Sequence, residues 1–299
     1  MKNIVVTGSN GLLGQTLVNL LLKDKEKYTV SGFSRGENRS GKTNFKYVSV
    51  DLTDKKILLK NLTACKPDVI VNTAAMTNVD ACEDDKKACD LLNIGVVELL
   101  KEYSEVNNIH LIHISTDFIF DGESGPYKET DTPNPLNYYG VSKLKSENIL
   151  TASKIDYAIL RTILVYGKVF DMTRSNIVLW VKKSLEDKKQ ITIVKDQFRM
   201  PTYVEDLAQA CKIVIDKKST GIFNISSNTL LSIYEIAQQI ADVFKLDKSL
   251  IKPIATNDLN QKAIRPSKTG FDLSKTNKEL NFQPKSFKED LRKFKEKIM

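Results

Sequence analysis

The chain has 299 residues, 41% of them hydrophobic and 27% charged, which is ordinary for a globular protein long enough to bury a full core as two domains or as one large α/β body with a smaller lobe. No apolar run approaches the ~18 residues of a membrane-spanning helix, and four cysteines without a CxxC pair, beside only two histidines, argue against a structural zinc site and a disulfide framework. The formal charge of +8 comes from lysines scattered among acids (KDKEK, EDDKK, SLEDKK), which speaks against nucleic acid as a partner and leaves a modest attraction for small anionic ligands such as a nucleotide.

NIVVT (Asn3–Thr7) reads as the first strand and leads through a glycine-rich turn into a helix ending near Leu22. YTVSGF (Tyr28–Phe33) and KYVSV (Lys46–Val50) are the next strands, followed by a helix around Lys55–Ala64 and the fully apolar strand DVIVN (Asp68–Asn72). Asp84–Asn107 reads as one long helix. HLIHIS (His110–Ser115), a helix from about Leu136 to Ala152 and the strand DYAILR (Asp156–Arg161) complete the regular part. Strand and helix alternating in this way predict an α/β fold, a Rossmann-like doubly wound parallel sheet, over residues 1–167. From 168 to 299 the pattern loosens into a smaller mixed α/β lobe for substrate, with the segment around 200–228, which contains GIFNIS (Gly221–Ser226), expected to return to the first body. Helices are expected over Ser232–Phe244 and near Phe287–Lys297.

Three constellations carry chemistry. TGSNGLLG puts Gly8, Gly11 and Gly14 between the first strand and the first helix, where a tight turn and a close approach of backbone N–H groups to a pyrophosphate both need small residues; Asn10, Leu12 and Leu13 share that loop. At the end of the second strand Ser34 and Arg35 stand where an acidic residue would take the ribose hydroxyls of NAD, so a 2′-phosphate fits better and NADPH is the expected cofactor, with NADH the alternative. Asp51, with Leu52, could face an adenine or equally cap the following helix. The third constellation spans two neighbouring elements. STDFIFDG (Ser115–Gly122) begins at the carboxyl end of a strand, where open α/β sheets bind ligands, and YYGVSKLKSE (Tyr138–Glu147) opens the next helix with Tyr139 and Lys143 one turn apart. Carbonyl reduction needs a proton donor, and a tyrosine whose pKa is lowered by a neighbouring ammonium could serve, with Ser115 or Thr116 holding the carbonyl oxygen.

Other single residues suggest less. Cys82 and Cys89, and His113 inside its strand, read as packed interior groups; Trp180 reads as core or lobe packing and the tail lysines as a solvated helix face.

In order along the chain, TGxxGxxG, Asp51-Leu52, NTAA (Asn72–Ala75), Asn93, STD and YxxxK resemble the extended short-chain dehydrogenase/reductase superfamily. VNTAAMTNVDACE (Val71–Glu83), PNPLNYYGVSKLKSE, RTILVYG (Arg161–Gly167), DQFRMPT (Asp196–Thr202) and IRPSKTGFDLSK (Ile264–Lys275) narrow the resemblance to its dTDP-4-dehydrorhamnose reductases. The resemblance implies reduction of the 4-keto group of a nucleotide-linked deoxysugar, with Tyr139 as proton donor, Lys143 as its partner and a cofactor ligand, and Thr116 polarising the carbonyl. It further implies that Gly11 to Leu13 meet the pyrophosphate, Asp51-Leu52 the adenine, and Ala74, Ala75, Met76 and Asn93 the cofactor. Thr77, Thr116, Asp117, Phe118, Gln197 and Arg265 would face the sugar. At Leu164 the family pattern has a Trp, so the hexose is left open. No carboxylate cluster supports a metal, and the resemblance is compatible with a homodimer. A sugar-nucleotide epimerase or dehydratase on the same scaffold, and a non-catalytic regulatory subunit, are the alternatives. The reduced thiols and the opening strand point to the cytoplasm.

Overall fold

A computed structural model describes residues 1–172, 175–259 and 261–299. Seven parallel strands form the central sheet, β1 (Lys2–Thr7), β2 (Tyr28–Ser34), β3 (Lys46–Ser49), β4 (Val69–Asn72), β5 (His110–Thr116), β6 (Tyr157–Thr162) and β9 (Gly221–Ile225), in the spatial order β3-β2-β1-β4-β5-β6-β9. The order reverses between β1 and β4, so the carboxyl ends of these two strands open the crevice where such sheets bind ligands. β4 is buried at every residue, as expected for a strand covered on both faces.

Helices α1 (Leu12–Leu21), α7 (Ile177–Glu186), α8 (Val204–Lys217), α9 (Ile233–Phe244) and α11 (Phe287–Ile298) belong to one hydrophobic cluster, while α2 (Lys55–Cys65) and α5 (Val96–Asn107) pack into a second on the other face. Their ends follow local rules. Asp54 caps α2, Asn176 caps α7, and Ser232 and Ser286 form capping boxes with Glu235 and Glu289. Two further strand pairs, β7 (Ile191–Val194) with β11 (Ile251–Ile254) and β8 (Phe198–Arg199) with β10 (Leu231–Ser232), stand apart from the main sheet. Trp180 on α7, expected in packing, is 42% exposed.

The expected single helix over 84–107 starts two residues late and then runs on to Asn107 through one widened turn. Asn78 caps a short α3 (Val79–Asp84), Asp85 leaves helical geometry and caps α4 (Lys86–Asp90), and a wide π-type turn, Leu91–Gly95, precedes α5. Hydrophobic period alone does not show the widened turn, because the helix runs through it without interruption. The turn presents Asn93 inward, and such widened turns commonly mark functional sites. α6 (Tyr138–Thr151) starts at the Asn137 cap, two residues later than expected. Among the described residues no helix is long and apolar enough to cross a membrane.

Candidate active site

The glycine loop is built as its spacing predicts. Gly8 adopts φ +67°, and a Cβ on Gly14 would fall 2.3 Å from the Gly8 carbonyl oxygen, so the start of α1 presses directly on the loop. Gly11 caps α1 with no side-chain partner, leaving the positive end of the helix open toward a cavity of about 870 Å³. Gly8, Asn10, Gly11, Leu12, Leu13, Ser34, Arg35, Asp51, Leu52, Ala74, Ala75, Thr77, Thr116, Asp117, Phe118, Tyr139, Lys143, Leu164, Gln197 and Arg265 all line this one cavity. Segments up to 257 positions apart therefore meet there (Gly8 to Arg265).

Three predicted residues lie off the wall. Gly14 acts by packing. Asn93 accepts from the Met76 N–H at 2.8 Å and donates to the Met76 carbonyl at 3.1 Å and to Ser142 Oγ at 2.9 Å. It fixes the loop after β4 to α6, and Met76 is the backbone it holds; neither side chain lines the cavity. Asn10, although on the wall, spends its amide on the carbonyls of Arg35 and Glu37 and on Tyr47 Oη, and so shapes the loop after β2. Asp51 turns out not to cap α2; its carboxylate accepts from the Thr53 N–H and hydroxyl, which pulls its pKa down.

The cationic corner holds Arg35 and also Arg39, which the sequence reading missed. Arg39 pairs with Asp171 through two hydrogen bonds of 2.7 and 2.8 Å, linking the loop after β2 to the segment after β6. Its place four residues after Arg35 was the available signal. A second missed residue, Arg199, lies 3% exposed with its Nε 3.7 Å from Asp117 and donates to the carbonyls of Pro266 and Phe198. Asp117 also accepts from the Thr269 hydroxyl. Burial pushes the Asp117 carboxyl up and the Arg199 guanidinium down, and each partly restores the other. Across the cavity Arg265 pairs with Asp80 at 2.7 Å, and Gln197 donates to Thr256 at 3.2 Å. Leu164 reaches the wall from a left-handed φ of 42°, a strained setting for a residue with a Cβ.

Tyr139 and Thr116 meet because α6 starts hard against the end of β5. Gly140 permits this, since a Cβ there would lie 2.1 Å from the Phe118 carbonyl oxygen. The Tyr139 ring forms part of the wall, its edge against Phe118, and its phenol lies beside the Thr116 hydroxyl, which acts to lower its pKa against the larger effect of burial. Thr116 keeps two further contacts, to Asp117 at 3.1 Å and from the Phe118 N–H at 3.2 Å.

Lys143 behaves differently from the expectation. The residue is 1% exposed, and its Nζ is bonded to the Ile114 carbonyl at 2.7 Å and to His113 Nε2 at 2.8 Å. Burial lowers its pKa to about 7, against a smaller opposing pull from Glu147 and Cys89. Burial, with Asp117 nearby, pushes the Tyr139 phenol up instead of down. The ammonium that was expected to acidify the tyrosine is thus turned toward the sheet. His113 is fully buried and hydrogen-bonded, as its place in the strand suggested. Among the described residues no group of three or more metal-ligating side chains gathers.

The geometry accords with three comparisons. The family model described as RmlD substrate binding domain matches residues 1–299. A dTDP-4-dehydrorhamnose reductase of Aggregatibacter actinomycetemcomitans is 31% identical, covering 98% of each chain, and methionine adenosyltransferase 2 subunit beta of Rattus norvegicus is 31% identical over 92% of this chain and 81% of its own. The crystal structure of dTDP-4-dehydrorhamnose reductase from Bacillus anthracis in complex with NADP superposes with a TM-score of 0.87 at 25% identity, covering 99% of both chains. With its Rossmann-like sheet, its glycine loop and a match over its whole length, the chain belongs to the RmlD substrate-binding-domain family of extended short-chain dehydrogenase/reductase type.

Proposed function

We propose that this protein reduces the 4-keto group of a nucleotide-linked deoxysugar, with NADPH as hydride donor and NADH as the alternative. The observation that carries the reading is the convergence of Thr116, Tyr139 and Lys143 on the cavity that the open end of α1 and Arg35 also face. That cradle fits a dinucleotide: the uncapped helix start suits a pyrophosphate, and Arg35 suits a 2′-phosphate. The bound cofactor would supply the hydride. Thr116 would hold the keto oxygen, and Tyr139 would deliver the proton to it. A phenol kept protonated at neutral pH is the form that donates, the direction that reduction requires. Lys143 would offer positive charge as negative charge develops on the Tyr139 oxygen. In this reading residues 1–167 hold the cofactor and the region from 168 onward, with Leu164, Gln197 and Arg265, closes over the sugar.

The test is direct. Purified protein is mixed with NADPH and a dTDP-4-keto-6-deoxysugar, then with UDP- and GDP-linked analogues, and the absorbance of the reduced cofactor is followed. Oxidation with one of these supports the reading, and none with any of them refutes it. A second reading, a non-catalytic subunit, is favoured by the 31% identity to a methionine adenosyltransferase subunit. Cofactor binding without turnover, joined by a changed activity of a methionine adenosyltransferase on mixing, would select it.

A further inference from the structure

Behind the cavity wall a chain of buried side chains runs from β1 to α6: Thr7, Asn72, His113, Ser146 and Lys143, none more than 1% exposed. The direction of each hydrogen bond follows from which groups can donate. Thr7 Oγ1 donates to Asn72 Oδ1 at 2.6 Å, so the Asn72 amide NH₂ faces His113 Nδ1 at 3.1 Å. The reverse amide would leave the buried Thr7 hydroxyl proton without an acceptor among the described residues. An amide NH₂ only donates, so Nδ1 carries the lone pair and the neutral imidazole carries its proton on Nε2. Ser146 agrees. Its hydroxyl donates to the Lys143 carbonyl at 2.7 Å, so toward Nε2, 3.0 Å away, it accepts.

Nε2 thus has no lone pair to offer Lys143 Nζ at 2.8 Å. An ammonium there would set two donors against each other. A neutral amine fits: it accepts the Nε2–H and donates to the Ile114 carbonyl at 2.7 Å. We propose that Asn72 holds His113 in the Nε2–H tautomer and that His113 holds Lys143 as an uncharged amine in the cofactor-free site. Both are positioning residues that set when Lys143 charges. The inference rests on the proposed reduction only for its consequence: Lys143 enters the cycle by taking one proton from solvent, as Nζ leaves Nε2, which then donates to Ser146 alone.

The other ionisable groups around Lys143 are few. Tyr139 and Glu147 lie on its own helix, Glu147 is neutralised by Arg161 of β6 at 2.7 Å, and Cys89 lies on α4. The lowered basicity of Lys143 is in keeping with the same picture.

The test uses the whole cofactor-free protein labelled with ¹⁵N-histidine and ¹⁵Nζ-lysine. Expected are an Nε2–H imidazole for His113 and an uncharged Lys143 amine at pH 8. An Nδ1–H tautomer, or a charged Lys143 at that pH, overturns the inference whatever the enzyme does. Asn72→Asp supplies an acceptor to Nδ1, so His113 should flip to Nδ1–H and the Lys143 titration should move up by about one pH unit or more. The alkaline limb of NADPH-dependent turnover should move with it. A variant that keeps the wild-type tautomer overturns the role given to Asn72; if the variant does not fold, the wild-type spectra still decide. Loss of turnover on every keto-sugar nucleotide would sink the functional reading alone and leave the tautomer measurement intact.

Discussion

Replacing Tyr139 by Phe removes one oxygen and leaves the ring that packs on Phe118. The structural cost follows from the partners. Thr116 loses the phenol but keeps the Asp117 carboxylate and the Phe118 N–H, so no polar atom is orphaned. A single net hydrogen bond is worth about 1 kcal/mol. With an unfolding entropy of about 2.1 cal/mol/K per residue, a chain of 299 residues should lose only about 2 °C in Tm. The catalytic cost is of another size. Loss of a positioned general acid lowers rates by about 10²–10⁴, or about 3–5 kcal/mol of barrier. The assay pairs initial rates of NADPH oxidation with keto-sugar nucleotide against NADPH binding measured by fluorescence and Tm measured by calorimetry. Turnover within about tenfold of wild type, less than a lost general acid costs, would refute the assignment of Tyr139. So would a collapse of Tm, because the loss of rate would then reflect structure.

Three further outcomes follow from the same geometry. Arg35→Ala should weaken NADPH by about ten- to a hundredfold, the worth of a charge-assisted contact, and leave NADH unchanged in a binding titration; equal loss for both would remove Arg35 from the 2′-phosphate. Glu147→Gln breaks an ion pair whose side chains are only 2% and 3% exposed, and should cost about 3–5 kcal/mol in denaturant unfolding, whereas Glu147→Leu with Arg161→Met should recover much of it. A double variant no better than the single one would contradict that account. Asp206 has its pKa raised to about 7, first by burial and then by the neighbouring Asp290. The folded form therefore binds more protons than the unfolded one between about pH 4 and 7. This contribution to stability is full below the unfolded pKa and lost as pH rises through about 7. Asp206→Asn should flatten that decline and stabilise the protein at pH 8; an unchanged pH profile would count against the carboxyl pair.

What could be read without coordinates was local or periodic. Alternating apolar runs gave the parallel sheet, because strands buried on both faces and amphipathic helices leave distinct periods. Glycines near the end of β1 marked the turn, and a four-residue spacing placed Tyr139 and Lys143 on one helical face. Most helix limits fell within two residues of expectation, although the caps Asn137 and Asp54 were not read and Asp51 was offered as the cap of α2. The widened turn at Leu91–Gly95 escaped because the helix runs through it without interruption.

The rest was decided by segments that meet only in the folded chain. Arg39 reaches Asp171 across 132 positions, and Arg199 reaches Asp117 across 82; no local pattern in the sequence records either pairing. Asn93 could be named as important from its motif, but only packing shows it gripping the Met76 backbone. The tyrosine–lysine spacing is the clearest instance. The sequence by itself determined that the two side chains share a face, since helix geometry is local. Which way the lysine points depends on His113 and Ile114 of β5 and, behind them, on Asn72 of β4, because a buried amine must spend its hydrogen bonds on whatever the neighbouring strands present.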